Sequence, residues 1–154
     1  MNKNLAIKQY NSYMKETQMI SYAVASISFD DSTGAPKKAF KERNEVLNYF
    51  QSLLFSRSIS IEYQTLIANL DKYYNSLSKK YQRIVDISKK ELAMNVKVPV
   101  DVMNAYQQAC SEAFFYWDKA KNASDYSIYK PYLEKVITLQ KEVGMYMKNE
   151  DTWL

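Results

Sequence analysis

Apolar residues recur at alternating steps of three and four along most of the chain, the spacing that gathers side chains on one face of an α-helix. Ala6, Tyr10, Tyr13, Thr17, Ile20, Val24 and Ile27 form the first such stripe and predict a long helix from about Lys3 to Phe29. The stripe ends at Asp30-Asp31-Ser32-Thr33-Gly34-Ala35-Pro36, where Gly34 frees the backbone and Pro36 suits the first turn of a following helix. A second helix is predicted from about Pro36 to Phe55, with Phe40, Leu47 and Leu54 one heptad apart and Val46, Phe50 and Leu53 beside them. Ser56 to Ser60 reads as a serine-rich connection, with Ser58 or Ser60 placed to cap the next start. A third helix carries Tyr63, Leu66, Ile67, Leu70 and Tyr74, and a fourth carries Tyr81, Ile84, Val85, Ser88 and Leu92. The pattern leaves open whether these are two helices or one bent near Asn75-Ser76.

The stretch from Asn95 to Pro99 interrupts the periodicity, because the residue before a proline is pushed out of helical geometry. A fifth helix follows, with Val102, Tyr106, Ala109, Ala113, Tyr116 and Ala120 on one face and Trp117 beside it. Asn122 to Lys130 is a connection with one short helical turn. Pro131 opens a last helix whose apolar positions include Leu133, Val136, Ile137, Val143 and Met147. Only two glycines and three prolines occur, too few for the many tight turns of a sheet protein this size. The expectation is an all-α bundle of about six helices, several of them long, with no sheet. No repeat or linker divides it, so residues 1–154 are expected to form a single helical domain.

Charge and composition narrow the function classes. The 21 basic and 17 acidic residues give a formal +4, mild for a nucleic-acid binder. Lys37-Lys38, Lys79-Lys80 and Lys89-Lys90 are the only adjacent lysine pairs, and the 14 tyrosines recur at helical spacing. No nucleic-acid motif accompanies them, so nucleic acid is not expected as a partner. No run approaches the roughly 18 apolar residues that a membrane span needs. The N-terminal residues Met1 to Leu5 lead into a polar, tyrosine-containing helix rather than a signal-peptide core. The lone Cys110 excludes an intramolecular disulfide, and the expected location is the cytoplasm.

The chemistry available is limited by one absence: the chain has no histidine. Hydrolytic zinc sites almost always draw ligands from histidine, typically two on one helical turn with a glutamate between them. Ser-His-Asp and Cys-His nucleophile arrangements are excluded with them. Cys110 has no basic neighbour within a helical turn and lies among Ala109, Ala113 and Phe114, so a small core thiol is expected. Glu42 and Glu45 share a helical face but alternate with Lys41 and Arg43, the pattern of a solvated, salt-bridged surface. Asp30 and Asp31 could ligate a hard cation, although Asp beside Gly mostly serves a turn. The glycine count rules out a phosphate-cradling loop of the usual glycine-rich kind. No catalytic, cofactor-binding or metal-binding residue is therefore expected, and no cofactor. Phe114-Phe115-Tyr116-Trp117 covers all sides of its helix, which points to a central helix or to one side facing a partner.

Two stretches carry a resemblance. The first is Ser28-Phe29-Asp30-Asp31-Ser32-Thr33-Gly34-Ala35-Pro36-Lys37-Lys38, followed by Arg43 and Glu45-Val46-Leu47. The second runs from Val98-Pro99 through Ala113, Trp117, Ala120-Lys121, Asp125-Tyr126, Pro131 and Leu133 to Lys141-Glu142. Both resemble, in order and spacing, the N-terminal part of the thermostable carboxypeptidase family, zinc-dependent metallocarboxypeptidases widespread in bacteria. Related members usually have Trp-Asp where this chain has Phe29-Asp30. The tail Asp151-Thr152-Trp153-Leu154 is similar to the point where family members continue into the rest of the enzyme.

The resemblance implies an all-helical cap beside a deep substrate cleft, in enzymes that remove C-terminal residues from peptides and are typically homodimers. The family's His-Glu-x-x-His helix lies downstream of the matching region, so none of its catalytic residues transfers to a position here. The chain is therefore expected to be a truncated or split relative without independent peptidase activity. Its expected partner is a second copy or a separately encoded catalytic portion. The alternative is a stand-alone helical binding or regulatory module that associates with itself, a peptide or a full-length paralogue. A histidine-free enzyme of unrelated chemistry is the third and least supported reading.

Overall fold

The computed structural model describes residues 2–34 and 36–148. The expected continuation point at Asp151–Leu154 lies outside the described residues, as does Ala35 in the turn. Six α-helices make up the fold among the described residues: α1 (Lys3–Thr33), α2 (Phe40–Ile59), α3 (Ile61–Asp71), α4 (Lys79–Asn95), α5 (Val100–Ala123) and α6 (Lys130–Met147). Short 3-10 turns at Lys37–Ala39, Tyr74–Ser76 and Tyr126–Ile128 lead into α2, α4 and α6. No strand occurs among the described residues, as the scarcity of turn residues predicted.

α1 lies along α2 and α3, α3 packs on α4, and α2 also packs on α5, which in turn runs along α6. Two apolar clusters hold the bundle. Ala6, Tyr10, Ile67, Leu70, Leu77 and Val85 close α1 onto the α3–α4 pair, while Phe55, Val98, Met103 and Val143 join α2, α5 and α6. Leu70 and Val85 have no solvent exposure, and Val98 is nearly as buried at the break before Pro99. The step of three and four along α1 is thus explained: Ala6, Tyr10 and Tyr13 are its buried residues.

Three boundaries differ from the periodicity. α1 runs on through Asp30-Asp31-Ser32-Thr33, because Ser32 Oγ and Thr33 Oγ1 donate back to the carbonyls of Ser28 and Phe29, both at 2.8 Å. These polar side chains satisfy the helix from within instead of breaking it. α2 begins at Phe40 after its 3-10 turn and continues through the serine-rich segment to Ile59, so the connection shrinks to Ser60. Ser60 is the cap: its hydroxyl accepts from Tyr63 N at 3.1 Å. The region around Asn75-Ser76 is a 3-10 turn, so α3 and α4 are separate helices.

Arg57, inside the segment read as a connection, ties the last turn of α2 to α1. Its guanidinium donates to Thr17 Oγ1 and to the Tyr13 carbonyl, each at 3.2 Å, and lies 4.1 Å from the centre of the Tyr13 ring. Tyr13 answers by donating its hydroxyl to the Arg57 carbonyl at 2.8 Å. One arginine therefore bonds backbone, hydroxyl and ring together, a use of its planar fork that lysine cannot copy.

Candidate partner-docking face

α5 is both central and partly uncovered. Its Met103, Ala109, Ala113 and Ala120 are buried, and the three alanines leave room for the helices packed against α5, α2 and α6. The aromatic run divides by side. Phe115 stacks on Phe40 of α2 with centroids 4.2 Å apart, and Tyr116 stacks on Tyr132 of α6 at 3.6 Å. Phe114 and Trp117 point outward, 52% and 42% exposed, and stack on one another at 5.9 Å. The run is thus split: Phe115 and Tyr116 pack on neighbouring helices, and Phe114 and Trp117 face solvent.

Around Phe114 the surface is concave. A cleft of about 310 Å³ opens where the end of α1 meets α2 and α5, lined by Asp31, Thr33, Phe40, Arg43, Phe114 and Phe115. Grooves beside it run over Cys110, Phe114 and Trp117, then past Tyr126 and Tyr129. Tyr126 is also largely exposed. Contiguous exposed aromatics of this kind mark interaction surfaces more often than they occur by chance.

The electrostatics of the face are mild. Arg43 clamps Asp31, with Nε at 3.0 Å and Nη2 at 2.6 Å from the same carboxylate oxygen, while Nη1 donates to the Pro36 carbonyl at 3.0 Å. Lys121 Nζ lies 5.0 Å from the Trp117 ring centre and Lys119 Nζ 4.3 Å from that of Phe115. Asp125 caps the 3-10 turn by accepting from Ser127 N and Oγ, and these bonds hold its carboxyl below the usual range. Tyr106 is raised by burial and by its hydrogen bond to Cys110.

The candidate residues singled out above fall into structural places. Asp31 is half-buried and paired with Arg43, and Asp30 is an exposed residue whose carbonyl accepts from Gly34 N. Glu42 and Glu45 are exposed, but Arg43 turns away from them to Asp31, so the expected salt-bridged face is not formed through it. Cys110 is partly rather than fully buried, because it borders the open grooves beside Phe114. No cluster of three or more His, Cys, Asp or Glu side chains suited to a metal exists among the described residues. No described helix is long and apolar enough to cross a membrane. The exposure of Phe114 and Trp117 was missed at residue level, since only the packing of α2 and α6 decides which side of α5 stays open. The one usable signal was the four-aromatic run itself.

The positions that carried the family resemblance share this structural character. Asp31 and Arg43 bond each other across the α1–α2 turn, Trp117 and Lys121 form one stack, and Asp125 caps the turn before Pro131. The sequence matches the profile of the Carboxypeptidase Taq (M32) metallopeptidases over residues 9–153.

The chain belongs to the M32 family.

Among its M32 relatives, Carboxypeptidase 1 of Bacillus subtilis (strain 168) is 32% identical over 139 residues, covering 90% of this chain and 28% of that protein. Thermostable carboxypeptidase 1 of Pyrococcus furiosus is 23% identical over 149 residues, covering 97% of this chain and 30% of that one. The crystal structure titled BsuCP superposes with a TM-score of 0.89 at 31% identity over 96% of this chain and 30% of that one. Trypanosoma cruzi metallocarboxypeptidase 1 shares the fold, with a TM-score of 0.70 at 15% identity over 97% of this chain and 30% of its own. The chain is thus a partial M32 relative, spanning less than a third of the length of the carboxypeptidases it matches.

Proposed function

We propose that this chain is a non-hydrolytic helical part of an M32 carboxypeptidase system, which docks through the Phe114–Trp117 face onto a separately encoded catalytic portion. The observation that carries the reading is the pairing of a histidine-free sequence with an open aromatic face on an M32 fold. Without histidine the chain lacks the ligand that hydrolytic zinc sites almost always use, so any peptide hydrolysis is expected to come from the partner. Stacked Phe114 and Trp117 supply the large, rigid apolar contacts that anchor protein interfaces. Phe29 beside Asp30, where related members usually carry tryptophan, leaves the pairing of Asp31 with Arg43 intact. The reading places the chain in the bacterial cytoplasm, where a single free thiol such as Cys110 stays reduced.

The purified chain supplied with zinc is expected to release no C-terminal amino acid from peptide substrates. Mixed with the remainder of the Bacillus subtilis relative, lacking its matching region, it is expected to restore release. Phe114→Glu and Trp117→Glu are expected to weaken that restoration at least tenfold, with the circular dichroism unchanged. Zinc-dependent release by the chain alone would overturn the proposal. A second reading, a peptide-binding module, is favoured by the cleft of about 310 Å³ lined by Phe40, Phe114 and Arg43. Fluorescence titration of Trp117 with short peptides tests it, and a peptide-dependent shift lost in Phe114→Ala would support it.

A further inference from the structure

The excess positive charge of the chain is concentrated on one helix. α4 carries Lys79, Lys80, Arg83, Lys89 and Lys90 against Asp86 and Glu91, a net +3 in a chain of formal +4. Within it, Lys80, Arg83, Ile87, Lys90 and Met94 follow one another at steps of three, four, three and four, the spacing of a helix–helix seam. All five are exposed, Ile87 at 43% and Met94 at 38%. Val85 and Ser88, the buried residues of α4, lie on its other side against α1 and α3. The two acidic residues stand on the flanks of the stripe rather than in it. Asp86 accepts from the Tyr74 hydroxyl at 2.9 Å, and Glu91 lies toward Tyr10 and Tyr63, whose ionisation it opposes. Asp71 of α3 takes Lys89 at 2.7 Å. Among the described residues, Arg83 and Lys90 form no ion pair.

We infer that this face of α4 docks an acidic amphipathic helix of another protein. Lys80, Arg83 and Lys90 meet its carboxylates, and Ile87 and Met94, one heptad apart, meet its apolar side chains. The charge of the stripe disfavours a second copy of the chain, because identical stripes set basic residues against basic ones. The two apolar residues favour a helix over a nucleic acid, whose phosphates take cations without apolar contacts. They are too few for a membrane surface, where a helix buries a broad apolar face rich in residues such as Trp, Phe and Leu. The stripe spans roughly 21 Å, about four turns, the reach of a partner helix lying along α4. Opposite charges at matched spacing steer the encounter and fix the register. This face lies on a different helix from Phe114 and Trp117, so it stands or falls apart from the function proposed above.

Fluorescence anisotropy with labelled synthetic helices reads the outcome. One peptide of about three heptads carries Glu and Leu along its seam, and a control of the same composition has its glutamates moved to the outward positions. The chain is expected to bind the first about tenfold more tightly than the control, and to lose affinity as salt rises. Combined Lys80→Glu, Arg83→Glu and Lys90→Glu is expected to abolish binding and to accept a peptide with Lys in place of the seam Glu. Ile87→Ser with Met94→Ser is expected to weaken binding about tenfold with the salt dependence kept. Circular dichroism is expected to stay unchanged in both variants, since all five side chains are exposed. Phe114→Glu is expected to bind as the parent does. Equal binding of the two peptides would overturn the inference, as it would show unspecific attraction of charge. Insensitivity to the Ile87 and Met94 substitutions, or tighter binding of single-stranded RNA or phosphatidylglycerol vesicles than of the seam peptide, would overturn it as well.

Discussion

Tyr10 illustrates how a buried hydroxyl makes this fold sensitive to alkali. Burial is the first cause that pushes its pKa up to about 12, with the nearby hydroxyls of Tyr63 and Tyr81 and the Glu91 carboxylate adding to it. Tyr63 is raised as well, chiefly by burial and partly offset by its hydrogen bond with Ser88 at 2.8 Å. In the unfolded chain tyrosine ionises near pH 10. A group whose folded pKa is raised contributes fully below its unfolded pKa and loses that contribution as pH rises through the folded value. Stability is therefore expected to fall between about pH 10 and 12, and Tyr10→Phe to make that fall shallower. Urea melts at a series of alkaline pH values check this, and an unchanged slope would contradict it. Arg57 makes a separate case at this scale. Arg57→Lys keeps the charge but cannot span Thr17, the Tyr13 carbonyl and the Tyr13 ring together. It is expected to cost about 1–2 kcal/mol, visible as a lower thermal midpoint.

At the scale of elements, helix ends were less legible than helix existence. Every helical segment follows from the apolar steps, because a buried face is written into each whatever it packs on, but the separation of α3 from α4 does not. Their ends depend on hydrogen bonds that periodicity does not register. Ser32 and Thr33 extend α1 by bonding backward, and Arg57 holds the last turn of α2 to a helix some 40 residues earlier. The α2–α5 contact shows a second such element. It is apolar at Phe55 and Met103 and aromatic at Phe40 and Phe115, but between these ends lie Asn48, Gln51, Asn104 and Gln107. Their buried side-chain oxygens accept no hydrogen bond from any described residue. A seam with that middle contributes less than an apolar one of equal length. The α1–α3–α4 cluster carries more weight, so Leu70→Ala in its fully buried centre is expected to cost about 3 kcal/mol. Chemical denaturation of the variant beside the parent measures it.

At the scale of the whole molecule, the sequence alone determined the all-α class, the family, and the lack of histidine for a zinc site. These rest on periodicity, on the order and spacing of residues such as Asp31, Arg43, Trp117 and Asp125, and on composition, none of which needs coordinates. It also marked Phe114 to Trp117 as unusual without saying which of the four would be covered. Tertiary structure decided that: α2 takes Phe115, α6 takes Tyr116, and Phe114 and Trp117 are left to solvent. It likewise decided that Asp31 is paired with Arg43, and that Met19, Tyr22 and Phe29 stay open on α1. The physical reason is the same in each case. A helical pattern states that a face must be buried or a charge paired, but the neighbour that does so comes from elsewhere in the chain. Only the packed bundle specifies which neighbour arrives, and which faces are left without one.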